Sequence, residues 1–90
     1  MLSLLEIIMK LNNFVKIIDR ENKVLVYFSD KGDIFETNQI GKFIIGKIQN
    51  NFSKKEIIEA LVKETNENPK KIEVDVDKFI KLLKNKGIVK

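Results

Sequence analysis

Three short apolar runs, residues 14–18, 23–28 and 33–37, follow one another with only the polar clusters Asp19-Arg20-Glu21-Asn22 and Ser29-Asp30-Lys31-Gly32 between them. This constrains the fold more than any other feature of the chain. Runs of four to six residues rich in Val, Ile, Phe and Tyr, bounded by Asn, Asp and Gly, predict strands. Their close succession predicts two hairpins in an antiparallel three-stranded meander. The third strand, Ile34-Phe35-Glu36-Thr37, is short and falls at an edge, where unpaired backbone N–H and C=O groups can accept another strand.

The period then changes from two to that of a helix. Asn38 is a predicted N-cap for a helix to about residue 49, with Ile40, Phe43, Ile44, Ile45 and Ile48 as its buried stripe and Asn50-Asn51 as its stop. Ser53 with Glu56 three residues on is a capping box. It opens a second helix that turns Ile57, Ile58, Leu61 and Val62 inward and fades at Thr65-Asn66. Pro69 lies in the first turn of a third helix that runs to about residue 86 and is closed by Gly87 at C′. Its core stripe is Ile72, Val76, Phe79, Ile80 and Leu83. Val74 and Leu82 fall off that stripe, beside Lys71, Asp75 and Lys78. They either widen the buried face or line an apolar groove with charged lips.

The first residues form a separate piece, an N-terminal apolar segment over 1–13 ahead of a domain over 14–90. Met1, Leu2, Leu4, Leu5, Ile7, Ile8, Met9 and Leu11 are apolar, while Ser3, Glu6, Lys10 and Asn13 share one helical stripe. A short helix is expected, packed on the domain's own core, serving as a docking or homodimerisation surface, or lying at a membrane interface. It lacks the basic start and small-residue cleavage site of a signal peptide, and no apolar run is long enough to span a bilayer.

With 90 residues, 43% of them hydrophobic and 33% charged, the chain is expected to form one globular domain with a modest core. It contains neither Cys nor His. Disulfides, thiolate metal sites and His-based nucleophilic catalysis are therefore excluded, and a reducing, cytoplasmic setting fits. The carboxylates Asp30, Asp33, Asp75 and Asp77 lie among lysines in patterns of turns and solvated helix faces. The expectation is a protein that is not an enzyme and carries no cofactor or metal.

Three strands followed by three helices, with an edge strand near the last helix, resemble the PqqD-like family, the leader-peptide recognition elements of ribosomally made and post-translationally modified peptide (RiPP) pathways. The resemblance spans residues 14–89. The stretch from Ile34-Phe35-Glu36-Thr37 through Asn38-Gln39-Ile40-Gly41-Lys42-Phe43-Ile44 is similar to the family's strand and helix opening with a Gly and an aromatic-Ile pair. The Ser53/Glu56 helix start matches as well. So does the run from Asp75 through Phe79-Ile80 and Leu82-Leu83 to Gly87-Ile88-Val89. The sequence departs from the pattern with Thr37 for the usual Leu, Ile45 for a common aromatic, and no counterpart of residues 1–13.

The resemblance implies an α+β fold, a three-stranded antiparallel meander followed by a winged helix-turn-helix-like three-helix bundle. It also implies a function: the leader of a precursor peptide adds as an antiparallel strand to the third strand, lies beside the third helix, and is presented to a modifying enzyme, often a radical S-adenosylmethionine protein. By position, Asp33, Ile34, Phe35 and Glu36 offer the edge. Val74, Lys78 and Leu82 take apolar leader residues and an acidic one, with Lys71 and Asp75 at the rim. Side chains alternate, so either Ile34/Glu36 or Asp33/Phe35 faces the groove. The alternatives are a winged-helix nucleic-acid binder, which the net charge of +4 permits, and another interaction or oligomerisation module. Against the first, the second helix has no Arg, Asn or Gln for base edges, and Arg20 is the only Arg in the chain. Neither a nucleic acid nor a membrane is the expected partner.

Overall fold

Val24 and Val26 are fully buried while their neighbours Lys23, Leu25 and Tyr27 are not, so the middle strand already has one inner and one outer face. The computed structural model describes residues 15–21, 23–28 and 32–89. The expected N-terminal helix over 1–13 and the turn residues 29–31 lie outside the described residues.

Strands β1 (Lys16–Arg20), β2 (Lys23–Tyr27) and β3 (Ile34–Thr37) form an antiparallel sheet in the order β1-β2-β3. The register aligns Asp19, Val24 and Thr37 in one row and Ile17, Val26 and Phe35 in the next. Directly paired residues share a face, so both rows belong to the inner face. β1 runs two residues later than the sequence predicts. Asp19 and Arg20, expected in the turn, pair with Val24 and Lys23. The inner row also gives the Asp19 carboxylate partners on the first helix, and that favours a strand over a loop there.

Helices α1 (Gln39–Gln49), α2 (Lys54–Thr65) and α3 (Pro69–Asn85) follow. Their ends are the expected ones. Gly41 N–H donates to Asn38 Oδ1 at 2.9 Å, closing the α1 cap. The Ser53/Glu56 capping box is complete: Glu56 N–H donates to Ser53 Oγ at 3.2 Å and Ser53 N–H to Glu56 Oε1 at 2.9 Å. The backbone donation to Glu56, with the Ser53 side chain second, holds that carboxyl below its ordinary value. At the end of α3, Gly87 adopts φ +76°, with Gly87 N–H bonded to Lys84 C=O and Ile88 N–H to Leu83 C=O. This Schellman arrangement turns the chain back and buries Ile88 and Val89.

The core joins Val24 and Val26 to Ile44, Ile45 and Ile48 of α1, Ile57 and Leu61 of α2, and Ile72, Val76, Ile80 and Leu83 of α3. Five residues expected in the buried stripes are more open: Phe43, Ile58, Val62 and Phe79 are half-buried, and Ile40 is 44% exposed. Ile40 sits in the first turn of α1.

Candidate functional site

The backbone of β3 has one side bonded and one side open. Phe28 N–H donates to Asp33 C=O at 3.0 Å, so Asp33 turns its backbone toward β2. In a regular antiparallel ladder this orientation alternates. Phe35 and Thr37 therefore also bond inward, and the N–H and C=O groups of Ile34 and Glu36 point to the open edge. Among the described residues no strand pairs with that edge.

The side chains alternate the other way. Phe35 and Thr37 face the helices, while Ile34, 47% exposed, and Glu36 lie on the outer face with Leu25 and Tyr27. The pair left undecided by the sequence is thus resolved in favour of Phe35. Its ring meets Phe28 edge-on, with centroids 6.2 Å apart, and the Lys86 ammonium stands 5.5 Å from its centroid. At the other end of β3, Gly41 lets three elements converge. A Cβ there would lie 2.9 Å from Phe79 Cζ and would clash with the Thr37 hydroxyl. β3 and α3 thus run side by side in opposite directions, Phe35 beside Lys86 and Thr37 beside Phe79.

At 100° per residue, Asp75, Phe79, Leu82 and Lys86 fall within an arc of about 60° on α3, with Lys71, Lys78 and Val74 about 20°, 40° and 80° beyond Leu82. Phe79 and Lys86 both reach β3, so this arc faces the cleft. Leu82, 40% exposed, lies between them at the cleft mouth. Lys78 forms the outer lip and makes no ion pair among the described residues. Lys71 is held by Glu67 at 3.2 Å. Val74 is 49% exposed and farthest from β3, so it does not widen the core and stands apart from the cleft floor.

Sequence reasoning did not single out Thr37, Gly41, Phe79 or Lys86 as site residues, yet they build the floor and one end of the cleft. Phe79 and Lys86 are seven residues apart, two turns on one face, and that spacing was the available signal. The packing of Lys86 on Phe35 and the approach at Gly41 are tertiary contacts with no local signature.

The opposite edge is occupied differently. Asp19 of β1 accepts from Lys42 Nζ at 2.7 Å and from Gln39 Nε2 at 3.0 Å, tying the edge strand to α1. The Lys42 hydrogen bond, then that of Gln39, holds the Asp19 carboxyl below its ordinary value. Among the described residues no group of acidic side chains could hold a metal ion, and no helix is long and apolar enough to cross a membrane.

Two solved structures share this architecture. TbiB1 in complex with the TbiA(beta) leader peptide is 21% identical with a TM-score of 0.78, over 90% of this chain and 94% of that one. Lasso peptide synthetase B1 complexed with the leader peptide is 14% identical with a TM-score of 0.80, over 93% and 99% of the two chains. No curated protein matches the chain. The family model described as coenzyme PQQ synthesis protein D (PqqD) matches residues 23–89.

Proposed function

The chain belongs to the PqqD family, and from that premise we propose that it is a non-catalytic binding domain that captures the leader of a ribosomally made precursor peptide by strand addition to β3. The observation that carries this reading is the open edge of β3, with the backbone groups of Ile34 and Glu36 turned outward beside the exposed Leu82 of α3. The two structures of like fold are both complexes with a leader peptide, which supports the same mode of use.

An incoming strand exchanges backbone hydrogen bonds with Ile34 and Glu36, and these bonds are indifferent to side-chain identity. Selectivity then falls to the cleft. Phe35, Phe79 and Leu82 offer apolar surface to side chains on the inner face of the added strand. Lys78 and Lys86 are the cations placed to meet an acidic leader residue, whereas Lys71 is already engaged by Glu67. Capture raises the local concentration of the peptide at the modifying enzyme, and the domain needs no chemistry of its own. That enzyme, a radical S-adenosylmethionine protein under the family resemblance, is the second partner, and the cytoplasm is the setting. Self-association through residues 1–13 is the remaining part of the proposal.

The test is a fluorescence anisotropy titration of labelled peptides, taken from short open reading frames beside the gene, with a duplex DNA probe as control. Saturable peptide binding at micromolar or lower concentration, weakened about tenfold by Leu82→Asp with the fold kept, supports the cleft. Salt-sensitive binding to DNA with no peptide response overturns the reading and favours a winged-helix nucleic-acid binder.

A further inference from the structure

The helices cover the inner face of the sheet, and its outer face is apolar at the centre. The register places Lys16, Tyr27 and Ile34 in one outer row, Ile18, Leu25 and Glu36 in the next, and Arg20 and Lys23 in the last. Tyr27, Ile34, Ile18 and Leu25 are therefore neighbours, with the charged side chains at the margins. An antiparallel sheet with one face in water ordinarily turns polar side chains to that face. Here Ile34 is 47% exposed, and none of the four apolar residues belongs to the core or packs against it. A contiguous apolar patch on a small domain marks a surface that another segment or molecule covers.

The sequence supplies a cover. Residues 1–13 lead into β1 at its Lys16 end, beside the row of Tyr27 and Ile34. Eight of the first eleven residues are apolar, and Asn12-Asn13, next to the strand, are turn formers. The helix expected over residues 2–11 is about 15 Å long. The five-residue strands beneath it span about 17 Å. At 100° per residue its apolar arc covers about 220°, about twice what one packed face needs. One half suffices for the sheet, and the flank left over serves the self-association proposed above. Other surfaces suit the segment less well. The groove along α1 is lined by Gln39, Lys42, Phe43, Gly46, Lys47 and Asn50, of which only Phe43 is a large apolar residue. The β3–α3 cleft lies at the sheet edge opposite β1, where the segment is attached.

We infer that the outer face of the sheet is the docking site of residues 1–13 of the same chain, which lie on Ile18, Leu25, Tyr27 and Ile34 as an amphipathic helix antiparallel to β1. Attachment through a short link gives the segment a high effective concentration at its own sheet, which favours the same chain over a second copy. Ser3, Glu6 and Lys10 then face water on the far side of the helix. The docking does not depend on the leader-binding reading, because the backbone edge of β3 stays open beneath the covered face.

The experiment uses the full chain, which has no Cys of its own. Glu6→Cys, on the polar stripe, carries a nitroxide label, and amide signals of the isotope-labelled protein are compared before and after the nitroxide is reduced. Near-complete loss of the Ile18, Leu25 and Tyr27 signals is expected, with Glu59 and Lys63 of α2, beyond the core, retaining theirs. Leu25→Lys in the labelled chain is expected to restore most of the lost intensity. If that variant does not keep the fold, Ile34→Lys, at an exposed position, gives the same readout. Loss centred on Gln39, Lys42 and Gly46 of α1, or no selective loss, overturns the inference. Loss seen only between copies, with the nitroxide on one and the isotope on the other, assigns the face to a second copy and overturns it as well. Peptide binding plays no part in the readout, so this docking and the leader reading stand or fall separately.

Discussion

The sheet has two edges, β1 and β3, and they differ in what surrounds their open backbone groups. By the same alternation, β1 turns the backbone of Ile17 and Asp19 outward. There the side chain of Asp19 is bound by Lys42 and Gln39, Lys16 and Arg20 flank it, and the strand is secured to α1. Charges and side-chain ties of this kind are how proteins discourage strand addition. At β3 the outward positions are Ile34 and Glu36, bordered by a half-buried Phe35 and by the exposed Leu82 across the cleft. An edge becomes a binding site when an apolar wall stands beside it. An edge whose side chains are tied to a neighbouring helix does not, whereas the Lys23–Glu36 ion pair at 3.7 Å lies on the outer face of β3, away from the cleft.

The largest expected effect comes from removing one outward N–H on each edge. Glu36→Pro deletes a donor that does not serve β2, so the sheet survives, as proline on an edge strand allows. Affinity for a bound leader peptide should fall about tenfold to a hundredfold in calorimetric titration. Asp19→Pro, the matched change on β1, should leave that affinity within about twofold, since on this account the bound peptide forms no hydrogen bonds to β1. Comparable losses from both would erase the distinction between the edges.

Next is the convergence at Gly41. Gly41→Ala places a methyl group against Thr37 and Phe79. Thermal or urea denaturation should show a loss of about 1–3 kcal/mol, as for overpacking elsewhere, although alanine is the better helix former. An unchanged midpoint would mean that the β3 end of the cleft yields easily. A smaller effect is expected for Lys86→Ala, which removes the cation facing Phe35. Stability should drop by about 0.5–1 kcal/mol in urea denaturation, the scale of an exposed cation–π contact.

The smallest effect concerns pH. Asp19 and Glu56 both have carboxyl groups lowered on folding, from ordinary values of 3.8 and 4.5. Their contributions are complete above those values and are lost as pH falls through the lowered folded ones. Both groups lie at the surface, so the acid limb is shallow. Asp19→Asn should flatten it slightly in urea denaturation between about pH 5 and 2, and peptide affinity near neutral pH should be unaffected.

Much of this molecule is legible in the sequence, because its determinants are local. Asn38, the Ser53/Glu56 pair and Gly87 each set a helix end through bonds to residues within a few positions, Pro69 marks the start of α3 by its fixed φ, and the three helices end where those residues place them. The strands follow from their short apolar runs, but β1 is displaced by two residues, because Asp19 is bound by Gln39 and Lys42, 20 and 23 positions away in another element. The cleft is legible only in outline. Leu82 off the core stripe of α3 hinted at a groove, but which face of β3 meets it depends on the register with β2. The roles of Gly41 and Lys86 depend on how α1 and α3 pack beside that strand.

The central claim is that β3, and not β1, accepts the peptide backbone. Amide hydrogen exchange measured with and without a saturating leader peptide, taken from the binders found in the anisotropy titration, tests it most directly. The account predicts new protection at Ile34 and Glu36, with Ile17 and Asp19 exchanging as before. Protection at Ile17 and Asp19 with Ile34 and Glu36 unchanged would contradict it.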